Sequence, residues 1–126
     1  MPLEILVADG YKTTQLLSQI TLEKVGCKVD TVFSAAETIE KIGQKDYDIV
    51  VMEIKLAGPS DGIEALKQIR ASKTLKKQPY IVMFTVKYEQ EFQDLCFEAG
   101  ADDFLPRRLE LNALVDFVKK KRPECF

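Results

Sequence analysis

Asp9, Glu53, Thr85 and Arg107 are the residues whose types and spacing suggest chemistry. Each follows an apolar run: Leu3-Glu-Ile-Leu-Val-Ala8 before Asp9, Ile49-Val-Val-Met52 before Glu53, Pro79-Tyr-Ile-Val-Met-Phe84 before Thr85, and Ala101 to Pro106 before Arg107. Such runs read as strands, and the unbroken ones as strands buried on both faces. One polar residue at a strand end needs no function, because the chain leaves the core there. Two acids, a hydroxyl and a cation at four such ends read as a site. With no histidine in the chain, His general bases, His phosphoacceptors and Cys/His zinc sites are excluded. Asp9-Gly-Tyr-Lys-Thr-Thr14 is neither a P-loop nor a flavin phosphate loop. Carboxylate chemistry remains: metal binding, phosphoryl transfer or a salt-bridged switch.

The elements that must position these residues alternate along the chain. A first helix is expected from about Thr13 to Val25, with Leu16, Leu17, Ile20 and the Lys24 stem on its apolar face and Gly26 as its stop. Cys27 to Phe33 alternates, as an edge strand would. Ser34-Ala-Ala-Glu37 has the capping-box pattern and opens a second helix with Ala36, Ile39 and Ile42 inward. The strand Asp48 to Leu56 delivers Glu53. Asp61 caps a third helix carrying Ile63, Leu66 and Ile69. Lys73, Lys76 and Lys77 lie in a solvated turn. A fourth helix from about Glu89 to Ala99 carries Phe92, Leu95 and Cys96. A fifth from about Glu110 to Lys121 carries Leu111, Leu114, Val115 and Val118. Strands alternating with helices predict an α/β three-layer sandwich with a parallel sheet. The flavodoxin-like order 2-1-3-4-5 suits the most apolar runs in the centre and Pro106 on an edge. In such sheets ligands bind beyond the carboxyl ends of the strands, where the order reverses. That is the rim at which the four polar residues arrive.

Length and charge bound the rest. At 126 residues one domain, residues 1–126, is expected. Lys+Arg 18 against Asp+Glu 20 gives a net charge of -2, which does not suggest nucleic-acid binding. Cys27, Cys96 and Cys125 are an odd number at wide spacing, as in a reducing cytoplasm. No apolar run reaches the length of a membrane span, and no signal-peptide pattern opens the chain. The expected location is cytoplasmic. Strand 1 starts almost at Met1 and Phe126 closely follows the last helix, which suits a stand-alone domain or an excised one.

Together these pieces resemble the receiver domain of bacterial two-component response regulators, over essentially the whole chain. Ile5-Leu-Val-Ala-Asp9 looks like the first strand with its acidic end. Tyr47-Asp-Ile-Val-Val-Met-Glu-Ile-Lys-Leu56, followed by Asp61-Gly-Ile-Glu64, looks like the phosphoacceptor strand and the next helix start. Thr85 matches the switch hydroxyl. Ala99-Gly-Ala-Asp-Asp-Phe-Leu-Pro-Arg107 looks like the segment holding the switch aromatic, Phe104, and the pocket cation. The resemblance implies phosphorelay signalling, with Mg²⁺ assisting phosphoryl transfer and no enzymatic turnover.

The departures carry equal weight. The family's phosphoaspartate position holds Glu53, and the second acid after strand 1, normally a metal ligand, is Gly10. Arg107 stands for the lysine, and Arg108 for the proline after it. Glutamate carries its carboxylate about 1.5 Å further out than aspartate, roughly one carbon–carbon bond. A misplacement near 1 Å costs about 10²-fold in a positioned reaction. Asp9 and Glu53 face Arg107, and Lys55, two residues past Glu53, points into this pocket or to solvent; counted in, it brings the formal charge near zero. No resident metal or cofactor is expected, with Mg²⁺ at most weak. Arginine's planar fork suits a standing Glu53–Arg107 ion pair that part-mimics the phosphorylated state.

The resulting expectation is a degenerate receiver, a pseudo-receiver acting as a phosphorylation-independent interaction module. Its partner, a histidine kinase, an effector domain or a second receiver, would use the face of helix 4, strand 5 and helix 5. The alternative is a conventional phosphoacceptor using Asp9 or Glu53 with Mg²⁺. A small enzyme of flavodoxin-like fold is a third class, short of every catalytic residue except carboxylates.

Overall fold

The apolar runs form one sheet, and the helices between them cover both of its faces. The computed structural model describes residues 2–108 and 111–126. In chain order the elements are β1 (Glu4–Ala8), α1 (Lys12–Glu23), β2 (Lys28–Val32), α2 (Ala35–Gln44), β3 (Ile49–Met52), α3 (Gly62–Ala71), β4 (Tyr80–Thr85), α4 (Gln90–Ala99), β5 (Asp103–Pro106) and α5 (Asn112–Lys121). A short 3-10 turn, Pro123–Cys125, follows. All strand pairs are parallel and the order is β2-β1-β3-β4-β5. The flavodoxin-like expectation holds.

The three central strands are buried on both sides, so their alternation sorts residues between two cores rather than between core and solvent. Leu6, Val50 and Ile81 are in register on one side and pack with Ile42, Leu66 and Ile69 from α2 and α3. Val7, Val51 and Val82 are in register on the other and pack with Leu22, Leu114 and Val118 from α1 and α5. Asp9 and Glu53 continue the alternation of this second side one step beyond the apolar runs. The ladder extends that far, since the Glu53 N–H donates to the Ala8 carbonyl at 2.9 Å.

Helix ends follow the sequence signals. The Ser34–Glu37 capping box is formed in both directions, and the Asp61 side chain accepts from the Glu64 N–H at 2.9 Å. The expected start of α5 at Glu110 lies outside the described residues.

Three expectations about helix faces are corrected. Leu16, Leu17 and Ile20 of α1 are 47%, 50% and 41% exposed, so its apolar stripe faces outward. The inward face is Gln15, Ser18 and Leu22. Polar Gln15 is drawn in because its Nε2 donates to the Val32 carbonyl at 2.7 Å, at the end of β2. In α2 the buried positions are Ala35, Thr38 and Ile42, and Ala36 is exposed. The Thr38 hydroxyl turns back onto the Ser34 carbonyl at 2.7 Å, so it enters the core with its polar atom satisfied. In α4, Cys96 and Ala99 are buried while Leu95 is exposed.

Candidate functional site

Asp9, Glu53 and Arg107 come from the carboxyl ends of β1, β3 and β5 and meet at one rim of the sheet, whose strand order reverses between β1 and β3. All three are nearly inaccessible, at 2%, 3% and 8% exposure. The Arg107 fork divides between the two acids: Nη1 donates to Asp9 Oδ2 at 2.7 Å, and Nη2 lies 2.7 Å from Glu53 Oε2. The Phe84 ring lies alongside, 5.9 Å from the guanidinium carbon.

Asp9 is held on all sides. Its Oδ1 accepts the Tyr11 N–H at 3.0 Å, and its Oδ2 also accepts the Thr14 hydroxyl at 2.6 Å. Thr14 is a site residue that the sequence reading passed over. Its only sequence signal was a hydroxyl in the first turn of the helix that follows the acid.

The Glu53 carboxylate curls back onto its own chain, with Oε1 accepting the Ile54 N–H at 2.7 Å. Oε2 faces Arg107 at ion-pair distance, yet it is the one fully buried side-chain polar atom among the described residues that accepts no well-aligned hydrogen bond. Burial therefore dominates its titration. It holds the Glu53 carboxyl above the usual glutamate range, although the Thr85 hydroxyl, the Arg107 guanidinium and the Ile54 N–H pull it down.

Thr85 is fully buried at the end of β4, where its hydroxyl accepts the Lys87 N–H at 3.1 Å and its carbonyl accepts the Arg107 N–H at 2.7 Å. Phe104 is half-buried on β5 beside Met83 and packs against the α2–α3–α4 core. Lys55 is exposed and makes no ion pair among the described residues, so it lies outside the pocket. The chain turns there to pair with the loop after β2, which sends the side chain to solvent. The enclosed charges are then two acids and one arginine.

Backbone closes the remaining side of the site. The Gly10 N–H donates to the Lys55 carbonyl at 3.1 Å, and the Ala57 N–H donates to the Phe33 carbonyl at 2.8 Å. Residues 55–57 thus run as a strap across the end of β1. A Cβ at Gly10 would lie 2.8 Å from the Leu56 carbonyl carbon and 2.9 Å from the Ala57 nitrogen. Gly62 is equally constrained, because a Cβ there would collide with the Glu53 carbonyl oxygen. That contact explains the Asp61-Gly62 pair after the acidic strand end.

Residues 5–119 match the response regulator receiver domain family. The chain belongs to that family. This receiver is 31% identical over 121 residues to hybrid signal transduction histidine kinase L of Dictyostelium discoideum and 32% identical over 116 residues to the transcriptional regulatory protein ResD of Bacillus subtilis. Each alignment covers 92% of this chain, but the chain spans only 7% and 46% of those two proteins. It is also similar to the solved structure of the response regulator TrrA from Thermotoga maritima in complex with Mg²⁺ and BeF, at 29% identity and a TM-score of 0.80. That match covers 95% of this chain and 98% of the other.

Proposed function

We propose that this receiver works as a phosphorylation-independent protein-interaction module of two-component signalling, with no catalytic turnover of its own. One observation carries the proposal: Arg107 holds Asp9 and Glu53 at once, both at 2.7 Å. Glu53 stands where the family carries its phosphoaspartate. A nucleophilic carboxylate needs a free oxygen aligned with an incoming phosphoryl group. Here one Glu53 oxygen is turned onto the Ile54 N–H and the other faces a cation. The pocket thus carries a fixed charge pair in place of a transient phosphate.

The partner reading is the face of α4, β5 and α5. Leu95 and Phe97 of α4 are exposed, 46% and 47%. Glu91, Asp94 and Glu98 on α4 are exposed acids, and Lys119, Lys120 and Lys121 on α5 are exposed bases. The partner is another signalling protein: a histidine kinase, an effector domain or a second receiver. Among the described residues no helix is long and apolar enough to cross a membrane. The three cysteines, all unpaired, suit a reducing cytoplasm, where we place the protein.

Incubation with acetyl phosphate and Mg²⁺, followed by intact-mass measurement, tests the proposal. The expected result is no adduct. A stable acyl phosphate on Asp9 or Glu53 would establish the conventional phosphoacceptor reading instead.

A further inference from the structure

We infer that Arg107 is the resident cation of this site and that its guanidinium closes the pocket to divalent metal. The inference rests on the proposed function and extends it, from an absent phosphoryl group to the reason a metal is shut out. The fold family implies Mg²⁺ at this rim, and the residues present do not fit it. Mg²⁺ demands near-octahedral oxygen ligands and keeps several of its waters. Asp9 Oδ1 and Oδ2 already accept three donors between them, from Tyr11, Thr14 and Arg107. Glu53 Oε1 is taken by the Ile54 N–H, and Oε2 faces the guanidinium. Among the described residues no group of three or more His, Cys, Asp or Glu could hold a metal.

A third acid has no room to enter. Position 10 would have to supply it, and there a Cβ would press into the Leu56–Ala57 backbone. The strap is itself hydrogen-bonded to the ends of β1 and β2. Restoring an aspartate at residue 10 therefore conflicts with backbone, not with a side chain that could swing aside.

The guanidinium suits the place it fills. Its two terminal nitrogens reach two carboxylates that project from different strands, which a compact ammonium cannot do simultaneously with the same fork geometry. It needs no hydration shell of its own, so the pocket stays closed at 8% exposure or below for all three residues. The two acids that converge on it are thus a latent two-carboxylate cation site.

Metal titration of the full chain tests the inference, with MnCl₂ and MgCl₂ as probes and NaCl at matched ionic strength as reference. Thermal unfolding is read throughout, together with paramagnetic broadening by Mn²⁺ of the amide signals of Asp9 and Glu53. Wild-type protein is expected to show no saturable response. Arg107→Ala is expected to gain one, with Tm rising by roughly 5 °C when metal is well above its Kd. Arg107→Lys, which keeps a cation and drops the fork, serves if the alanine variant does not fold, and its expected gain is smaller. Combining Glu53→Gln with either change is expected to abolish the gain. Saturable Mn²⁺ binding at Asp9 and Glu53 of the wild type would overturn the inference. So would no gain in either arginine variant, or a gain that survives Glu53→Gln. The phosphodonor experiment reads a covalent adduct and the titration reads the cation, so the two proposals fail separately.

Discussion

Arg107 reaches across 98 residues of chain to hold Asp9, its Nη1 2.7 Å from Oδ2. The same side chain holds Glu53, so three strands that are not all neighbours in the sheet are tied at one end. Removing one partner of a buried ion pair strands the other charge, and the cost is typically ~3–5 kcal/mol. Arg107→Ala strands two. In metal-free buffer it is expected to lose at least that much in urea unfolding, and Arg107→Lys less. An alanine variant within about 1 kcal/mol of wild type would show that the pair does not hold the rim.

Glu53 supplies a pH test with a definite sign. Its folded-state pKa is raised above the ordinary value of 4.5, chiefly by burial. The stability that comes from protonating it is fully present below that ordinary value and is lost as pH rises through the folded value. Glu53→Gln keeps the shape and removes the buried charge. Its Tm is expected to exceed that of wild type at neutral pH, and the difference to close as pH falls through the raised folded value, being gone by about 4.5. A glutamine variant less stable than wild type at neutral pH would mean that the Arg107 attraction outweighs burial.

The cysteines divide by environment. Cys96 is fully buried, and burial pushes its thiol up to about 11. Burial likewise raises Cys27. Only the thiolate reacts, so iodoacetamide at pH 8 is expected to label the partly exposed Cys125 in native protein and leave Cys27 and Cys96 untouched. Peptide mapping before and after denaturation checks this.

Gly10→Ala asks whether the strap is rigid. The added methyl meets the Leu56 and Ala57 backbone at 2.8–2.9 Å. Overpacking of this kind costs about 1–3 kcal/mol. A thermal shift of zero would mean that residues 55–57 yield freely.

What could be read in advance was whatever depends on pattern along the chain. Unbroken apolar runs mark the buried strands, Ser34 and Asp61 mark helix starts, and the flavodoxin-like order suits the most apolar runs lying in the centre. Glu53 and Arg107 could be paired on paper because both follow strands that end at the same rim of the sheet, and arginine's fork suits a carboxylate. Neighbours across space were harder. Gln15 turns inward for the Val32 carbonyl and thereby turns Leu16, Leu17 and Ile20 outward, which apolar spacing alone reads the wrong way round. Lys55 faces solvent because the strap bends towards Phe33. That bend is set by backbone hydrogen bonds, which leave no mark in residue type except glycine at position 10.

The strap also bears on how this end of the sheet opens. Ala57 is bonded to Phe33 and Gly10 to Lys55, while Ser34, bridged to Ala57, is the cap of α2. Lifting residues 55–57 would break these bonds in a single event. The Gly10 and Ala57 amides are therefore expected to exchange hydrogen at one common rate, slower than their position in loops would suggest. By this reckoning the rim over β2, β1 and β3 behaves as one cooperative unit, opening as a whole or staying shut.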